Sequence, residues 1–167
     1  MLPIIENDHY YLKAVQESDA AFLHRLLNSE DWIRNIGDRK VPTVEATRKL
    51  IREKLIPGMS NNYGPYVIRR KLYNKEMGTV GLMYRDYTNT PDIGYALLPE
   101  YFGQGYAFGA AQLIVQHARN NWEIKQIGGM VIPENIPSIK ILEKLGLRYK
   151  HAFKEPGTNV QLWWFES

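Results

Sequence analysis

The sequence contains no cysteine. Disulfide staples, thiolate-bound zinc and a cysteine nucleophile are therefore excluded. It also lacks any continuous run of about 18 apolar residues, so no transmembrane helix is expected. The opening residues Met1-Leu2-Pro3-Ile4-Ile5-Glu6-Asn7-Asp8 carry neither a basic start nor an apolar stretch. No signal peptide is expected, and a cytoplasmic location is the default. Blocks of basic residues are missing as well. The longest run, Arg69-Arg70-Lys71, reads as a solvated strand end, and neither nucleic acid nor membrane is expected as a partner. The four histidines, His9, His24, His117 and His151, are scattered without ligand spacing, so no metal is expected. His117 falls on a helix and reads as structural or exposed.

What remains is a chain of ordinary globular composition. Its 167 residues suit one domain, taken here as 1–167. Aromatic residues make up 12%, with eleven tyrosines, which a disordered chain would not carry. They fit a core with an aromatic-lined cleft, or equally a set of Tyr-rich strands. The net charge of +3 mildly favours an anionic ligand without selecting one.

Periodicity divides the chain into elements. His9 to Val15 predicts a strand. Asp19 can cap a helix bearing Phe22, Leu23, Leu26 and Leu27 on one face. Trp32 to Arg39 reads as a loop because of its Asn, Gly and Asp. Thr43, with Glu45 in the first turn, opens a second helix that stops before Pro57-Gly58. Tyr66–Arg70, Gly78–Tyr84 and Ile93–Leu98 are strands joined by short, antiparallel-type turns. A helix is expected from Tyr106 to Asn121, a strand from Ile127 to Ile132, and a helix after Pro133-Glu134-Asn135 that ends at Gly146. Arg148–Phe153 and Gln161–Phe165 are the last strands. The predicted class is α/β (mixed α+β), with about seven strands and about four helices. The strand-loop-helix-strand unit near residues 93–132 implies one parallel pairing in a mixed sheet.

Chemistry concentrates between Ile93 and Ala107. A strand ends, Gly103-Gln104-Gly105 turns, and a helix begins. Glycines let successive N–H groups point one way, and the helix N-terminus adds partial positive charge, which suits a pyrophosphate. A tight strand-to-helix turn alone would use the same glycines. A Rossmann fingerprint fails because Phe108 stands where the third glycine belongs, and a P-loop lacks its Gly-Lys-Ser/Thr.

Phe102-Gly103-Gln104-Gly105-Tyr106-Ala107 resembles motif A of the GNAT acetyltransferases, Gln/Arg-x-x-Gly-x-Gly/Ala, with Phe102 in place of Gln/Arg. Asn135-Ile136-Pro137-Ser138, followed by Leu142-Glu143-Lys144-Leu145-Gly146-Leu147, resembles motif B. The likeness covers about residues 8–165. It is strongest to the branch of ribosomal-protein N-terminal acetyltransferases, which Asn35-Ile36-Gly37-Asp38-Arg39 and Ile93-Gly94-Tyr95 also resemble.

The resemblance implies a GNAT fold with a twisted, mostly antiparallel sheet. It further implies acetyl-CoA as co-substrate and transfer of acetyl to a primary amine, either a small molecule or a protein N-terminus, in a ternary complex. Pantetheine would pair with the strand near Leu97 and Leu98. The diphosphate would rest on the amides of Gly103, Gln104, Gly105, Tyr106 and Ala107. Asn135 would bond near the pantetheine arm or cap its helix, or do both. Lys144 would be a solvated lysine or meet a phosphate.

The acceptor amine must be neutral, the carbonyl polarised and the thiolate given a hydrogen bond or proton. Many relatives use a motif B tyrosine for the thiolate, where this chain has Leu142, which leaves Ser138. Asp92 is the candidate base, directly or through water, with Asp86 behind it. Trp32, Asn35, Arg39 and Tyr84, with Arg85, would line the acceptor pocket. A homodimer would be in keeping with the same branch. The alternative reading is a catalytically silent CoA-binding sensor or scaffold module.

Overall fold

The computed structural model describes residues 4–59 and 63–167. Eight strands form one sheet: β1 (Ile5–Glu6), β2 (Tyr10–Ala14), β3 (Tyr66–Arg70), β4 (Lys75–Met83), β5 (Asp92–Leu97), β6 (Gly128–Val131), β7 (Arg148–Lys154) and β8 (Gln161–Glu166). Their spatial order is β1-β2-β3-β4-β5-β6-β8-β7. Every neighbouring pair is antiparallel except β5 and β6, which run parallel.

Five helices among the described residues cover the sheet: α1 (Ala20–Leu27), α2 (Glu30–Asn35), α3 (Val44–Leu50), α4 (Tyr106–Asn121) and α5 (Ile136–Lys144). Thr43 caps α3 as expected, its Oγ1 accepting from Ala46 N–H at 3.0 Å. Gly146 closes α5 at φ 88°, with Leu147 N–H bonding back to Leu142 O at 3.0 Å.

Strand alternation gives the sheet two buried faces. On β3, Tyr66 and Ile68 point to a core completed by Ala110, Ile114 and Ala118 of α4 and Leu142 of α5. Val67, between them, points to a second core with Phe22, Leu23, Leu26 and Leu27 of α1 and Ile51. At the middle of the sheet Gly78 has no room for a side chain. A Cβ there would lie 2.0 Å from the Ala96 carbonyl oxygen on β5.

The structure corrects the expected outline in five places. The strand count among the described residues is eight, because β1 pairs Ile5 with Leu12. Trp32 to Asn35 is helical: Ser29 Oγ accepts from Trp32 N–H, and Glu30 and Asp31 occupy the first turn. The helix begun by Thr43 does not stop before Pro57. It widens into a π-turn over Ile51–Leu55 and continues through Ile56–Gly58. Arg69 is no solvated strand end. Its side chain is 15% exposed and bridges Asp19 and Glu76. Asp19 starts α1 without bonding its N–H groups, because its carboxylate is taken by Arg69 and by Gln16 N–H.

Candidate active site

β5 and β6 separate almost as soon as they meet. One register pair joins them, Asp92 with Gly128, and Gly128 N–H donates to Pro91 O at 2.9 Å. From Ile93 to Leu97, β5 keeps its β4 partners on one edge, ending at Leu97 opposite Gly78. Among the described residues no ladder partner occupies the other edge, while β6 is held on its far side by β8. A wedge therefore opens from an apex at Asp92 and Gly128 toward the C-terminal end of β5. The backbone groups along its walls are those a pantetheine amide could pair with. Leu97 and Leu98 stand at the wide end with their side chains buried in opposite cores.

At that end the chain turns through Pro99–Tyr101, and Gly103 and Gly105 take φ of 70° and 82° before α4 begins. Both are left-handed, where glycine costs little. Among the described residues, the N–H groups of Gly103, Gln104, Gly105, Tyr106 and Ala107 have no hydrogen-bond partner. The Gln104 side chain turns away from them, donating to Glu100 O at 3.1 Å. Five free amides at the start of a 16-residue helix have the donor geometry and partial positive charge that suit an anion. Phe102 beside it is largely exposed. Lys144 Nζ lies 5.6 Å from the centre of the Phe108 ring, which puts a cation over the first turn of α4.

Across the wedge, α5 presents its first turn. Asn135 caps it, Oδ1 accepting from Ser138 N–H at 3.3 Å. Ser138 Oγ lies 2.8 Å from the hydroxyl of Tyr95, which reaches over from β5. Burial pushes the Tyr95 phenol up to about 12, so it keeps its proton at neutral pH. Nothing in the sequence marks Tyr95 as a site residue by itself. Its only signal there was membership of Ile93-Gly94-Tyr95.

Asp92 sits at the apex, 1% exposed. Arg85 Nε approaches its Oδ1 at 3.0 Å. Burial raises the Asp92 pKa, and the Arg85 charge and hydrogen bond oppose that rise. Around this pair gather three separate segments. Arg39 is shifted down by desolvation and by the nearby Arg85 charge, with Glu155 acting the other way. Tyr87 Oη donates to Glu155 Oε1 at 3.2 Å. Arg39 lies 6.0 Å from the Trp32 ring centre, and Trp32 Nε1 is buried without a partner among the described residues. Asn35 is tied to Asp31 at 3.1 Å, whereas Tyr84 is exposed at the end of β4. Asp86 is exposed and stands outside the Arg85–Asp92 pair. Tyr87 and Glu155 were not legible as site residues, since nothing local in sequence joins the β4–β5 connection to the β7–β8 turn. Among the described residues no group of three His, Asp or Glu could hold a metal ion.

Residues 9–148 match the family model described as acetyltransferase (GNAT) domain. The chain belongs to this family of acetyltransferases. Among curated relatives it is 35% identical over 78 residues to the uncharacterized N-acetyltransferase YnaD of Bacillus subtilis. That stretch covers 47% of this chain and 46% of YnaD, a little under half of that protein's length. It is 21% identical to the uncharacterized N-acetyltransferase YoaA of the same organism, over 93% of this chain and 88% of YoaA. The fold is shared with the ribosomal-protein-S5-alanine acetyltransferase of Vibrio fischeri, with TM-score 0.82, 21% identity, and 99% and 96% of the two chains covered. It is also shared with RimL, a ribosomal L7/L12 alpha-N-protein acetyltransferase solved in complex with coenzyme A. Here the TM-score is 0.84 at 20% identity, with 99% and 97% covered. No helix among the described residues is long and apolar enough to cross a membrane.

Proposed function

We propose that this protein transfers acetyl from acetyl-CoA to a primary amine, on a small molecule or a protein N-terminus, by direct attack within a ternary complex. The observation that carries this reading is the wedge between β5 and β6, which opens toward the free amides of Gly103–Ala107. In it the pantetheine arm pairs with the open edge of β5 near Leu97 and Leu98, and the diphosphate rests on the amide cradle with Lys144 close by. The thioester then lies toward the apex, between Ser138 on α5 and the Arg85–Asp92 pair.

The acceptor enters past Trp32, Asn35, Arg39 and Tyr84. Its amine loses a proton toward Asp92. Because that carboxylate is 1% exposed, a bridging water carries the proton. The C–N bond forms as the C–S bond breaks, the electron pair leaves on sulfur, and Ser138 Oγ–H meets it with a hydrogen bond. Asn135 holds the first turn of α5 so that this hydroxyl is presented to the wedge.

The test is release of free CoA thiol from acetyl-CoA in the presence of a panel of amines, polyamines, aminoglycosides and N-terminal peptides. Acceptor-dependent release supports the reading. CoA binding with no release from any acceptor would identify a silent CoA-binding module instead.

A further inference from the structure

Tyr95 shares a face of β5 with Ile93 and Leu97, and its ring crosses the wedge to α5. Its hydroxyl lies 2.8 Å from Ser138 Oγ and 3.1 Å from the Ser138 carbonyl oxygen. Ser138 Oγ has no other hydrogen-bond partner among the described residues. The pair has two hydroxyl protons and two arrangements that keep the hydroxyls bonded to each other. In one, Ser138 O–H donates to Tyr95 Oη and Tyr95 O–H donates to the carbonyl. In the other, Tyr95 O–H donates to Ser138 Oγ, which frees the serine proton to point into the wedge. The carbonyl can give up the tyrosine, because it also accepts from the helix N–H four residues on.

We propose that Tyr95 is a positioning residue, which turns Ser138 toward the leaving sulfur and strengthens it as a hydrogen-bond donor to the thiolate. This rests on the acetyltransferase reading of the wedge. A hydroxyl that itself accepts a hydrogen bond donates a stronger one, so the effect of Tyr95 reaches sulfur through Ser138. Neither hydroxyl is consumed. Tyr95 holds its proton up to about 12, whereas a thiol ordinarily titrates at about 8.5, so proton transfer from the phenol to the thiolate would run uphill. The dyad stabilises charge on sulfur, and the proton that finally makes CoA-SH comes from solvent, balancing the one the amine has lost.

The experiment needs no acceptor. CoA is bound to the intact protein, and its thiolate absorbance is followed against pH as the difference from the desulfo-CoA complex. The wild-type protein is expected to hold the CoA thiol below its ordinary pKa. Ser138→Ala should raise it by about one to two units, the equivalent of one hydrogen bond to a charged group. Tyr95→Phe should raise it by a smaller amount, leaving CoA affinity within about threefold of wild type. The double variant should match Ser138→Ala. Tyr95→Phe titrating with wild type would overturn the proposal. So would a Tyr95→Phe shift that persists without Ser138, since Tyr95 would then be only a tie between β5 and α5. Failure of the wild-type protein to bind CoA would sink the acetyltransferase reading as well, whereas CoA binding with an unshifted Tyr95→Phe sinks the dyad alone.

Discussion

Arg85 clamps Asp92 at two points, Nε to Oδ1 at 3.0 Å and Nη2 to Oδ2 at 3.4 Å, where the two parallel strands meet. The pair is unequally placed: Asp92 is 1% exposed and the Arg85 side chain 25%. Burial makes the charged carboxylate costly, and Arg85 offsets part of that cost. A carboxyl whose folded pKa lies above its unfolded value stabilises the fold at low pH. That contribution is lost as pH rises through the folded pKa.

Arg85→Met should therefore be tolerated best in acid. Without the guanidinium the Asp92 pKa rises further, and the variant loses stability relative to wild type as pH climbs. The gap should reach roughly 2–4 kcal/mol once Asp92 must ionise unpaired. Urea unfolding at about pH 5 and about pH 8 reads it. An equal gap at both values would show that the Asp92 charge is not the cause.

Asp92→Asn retains the shape and removes the basic oxygen. If Asp92 accepts the amine proton, turnover should fall by about 100-fold or more, and the acid limb of the pH–rate profile should disappear. A loss of less than about threefold would assign deprotonation to solvent alone, a step whose expected contribution is too small to register as general-base catalysis.

At the amide cradle, Gly103→Asp and Gly103→Asn form a matched pair. Both residues tolerate positive φ better than most, and among the described residues no neighbouring atom lies within 4 Å of a Cβ built there. They are nearly isosteric and differ chiefly in charge. The aspartate should bind CoA about tenfold more weakly than the asparagine, a difference that shrinks with added salt. Titration calorimetry at low and high salt measures it, and equal affinities would place the diphosphate elsewhere.

Leu142 occupies the motif B position where many relatives carry tyrosine, yet here it is a core residue, 1% exposed. Its Cδ2 would lie 2.5 Å from a Cβ on Gly129 of β6, so the site has no slack. Leu142→Ala should cost about 2–5 kcal/mol, and Leu142→Tyr about 1–3 kcal/mol through overpacking, with no gain in turnover. Thermal unfolding and steady-state rates check both. A stable, faster Leu142→Tyr would mean that the wedge reaches deeper toward α5 than the packing allows.

Much of this architecture is legible along the chain. Phe22, Leu23, Leu26 and Leu27 announce α1 by spacing, Thr43 announces α3, and Gly103 and Gly105 announce the turn that opens α4. Other features escaped for physical reasons. β1 is two residues long, too short for any alternation to register. α2 carries good start signals in Ser29, Glu30 and Asp31, but Asn35, Gly37 and Asp38 crowd its end and read as loop. Arg69 looks like a solvated cation until Asp19, far away in the chain, is folded against it.

The amino acids alone determined which segments coil, which extend, and where a turn leaves amides free, because those outcomes depend on side-chain volumes and torsions within a few residues. Only the tertiary structure decided that β5 and β6 part after a single pair, and that Tyr95 meets Ser138 43 positions on. It also brought Arg39, Arg85 and Glu155 together at the apex. Such meetings arise when two buried faces are packed at once, and that packing is a property of the whole sheet, which no local stretch of sequence encodes.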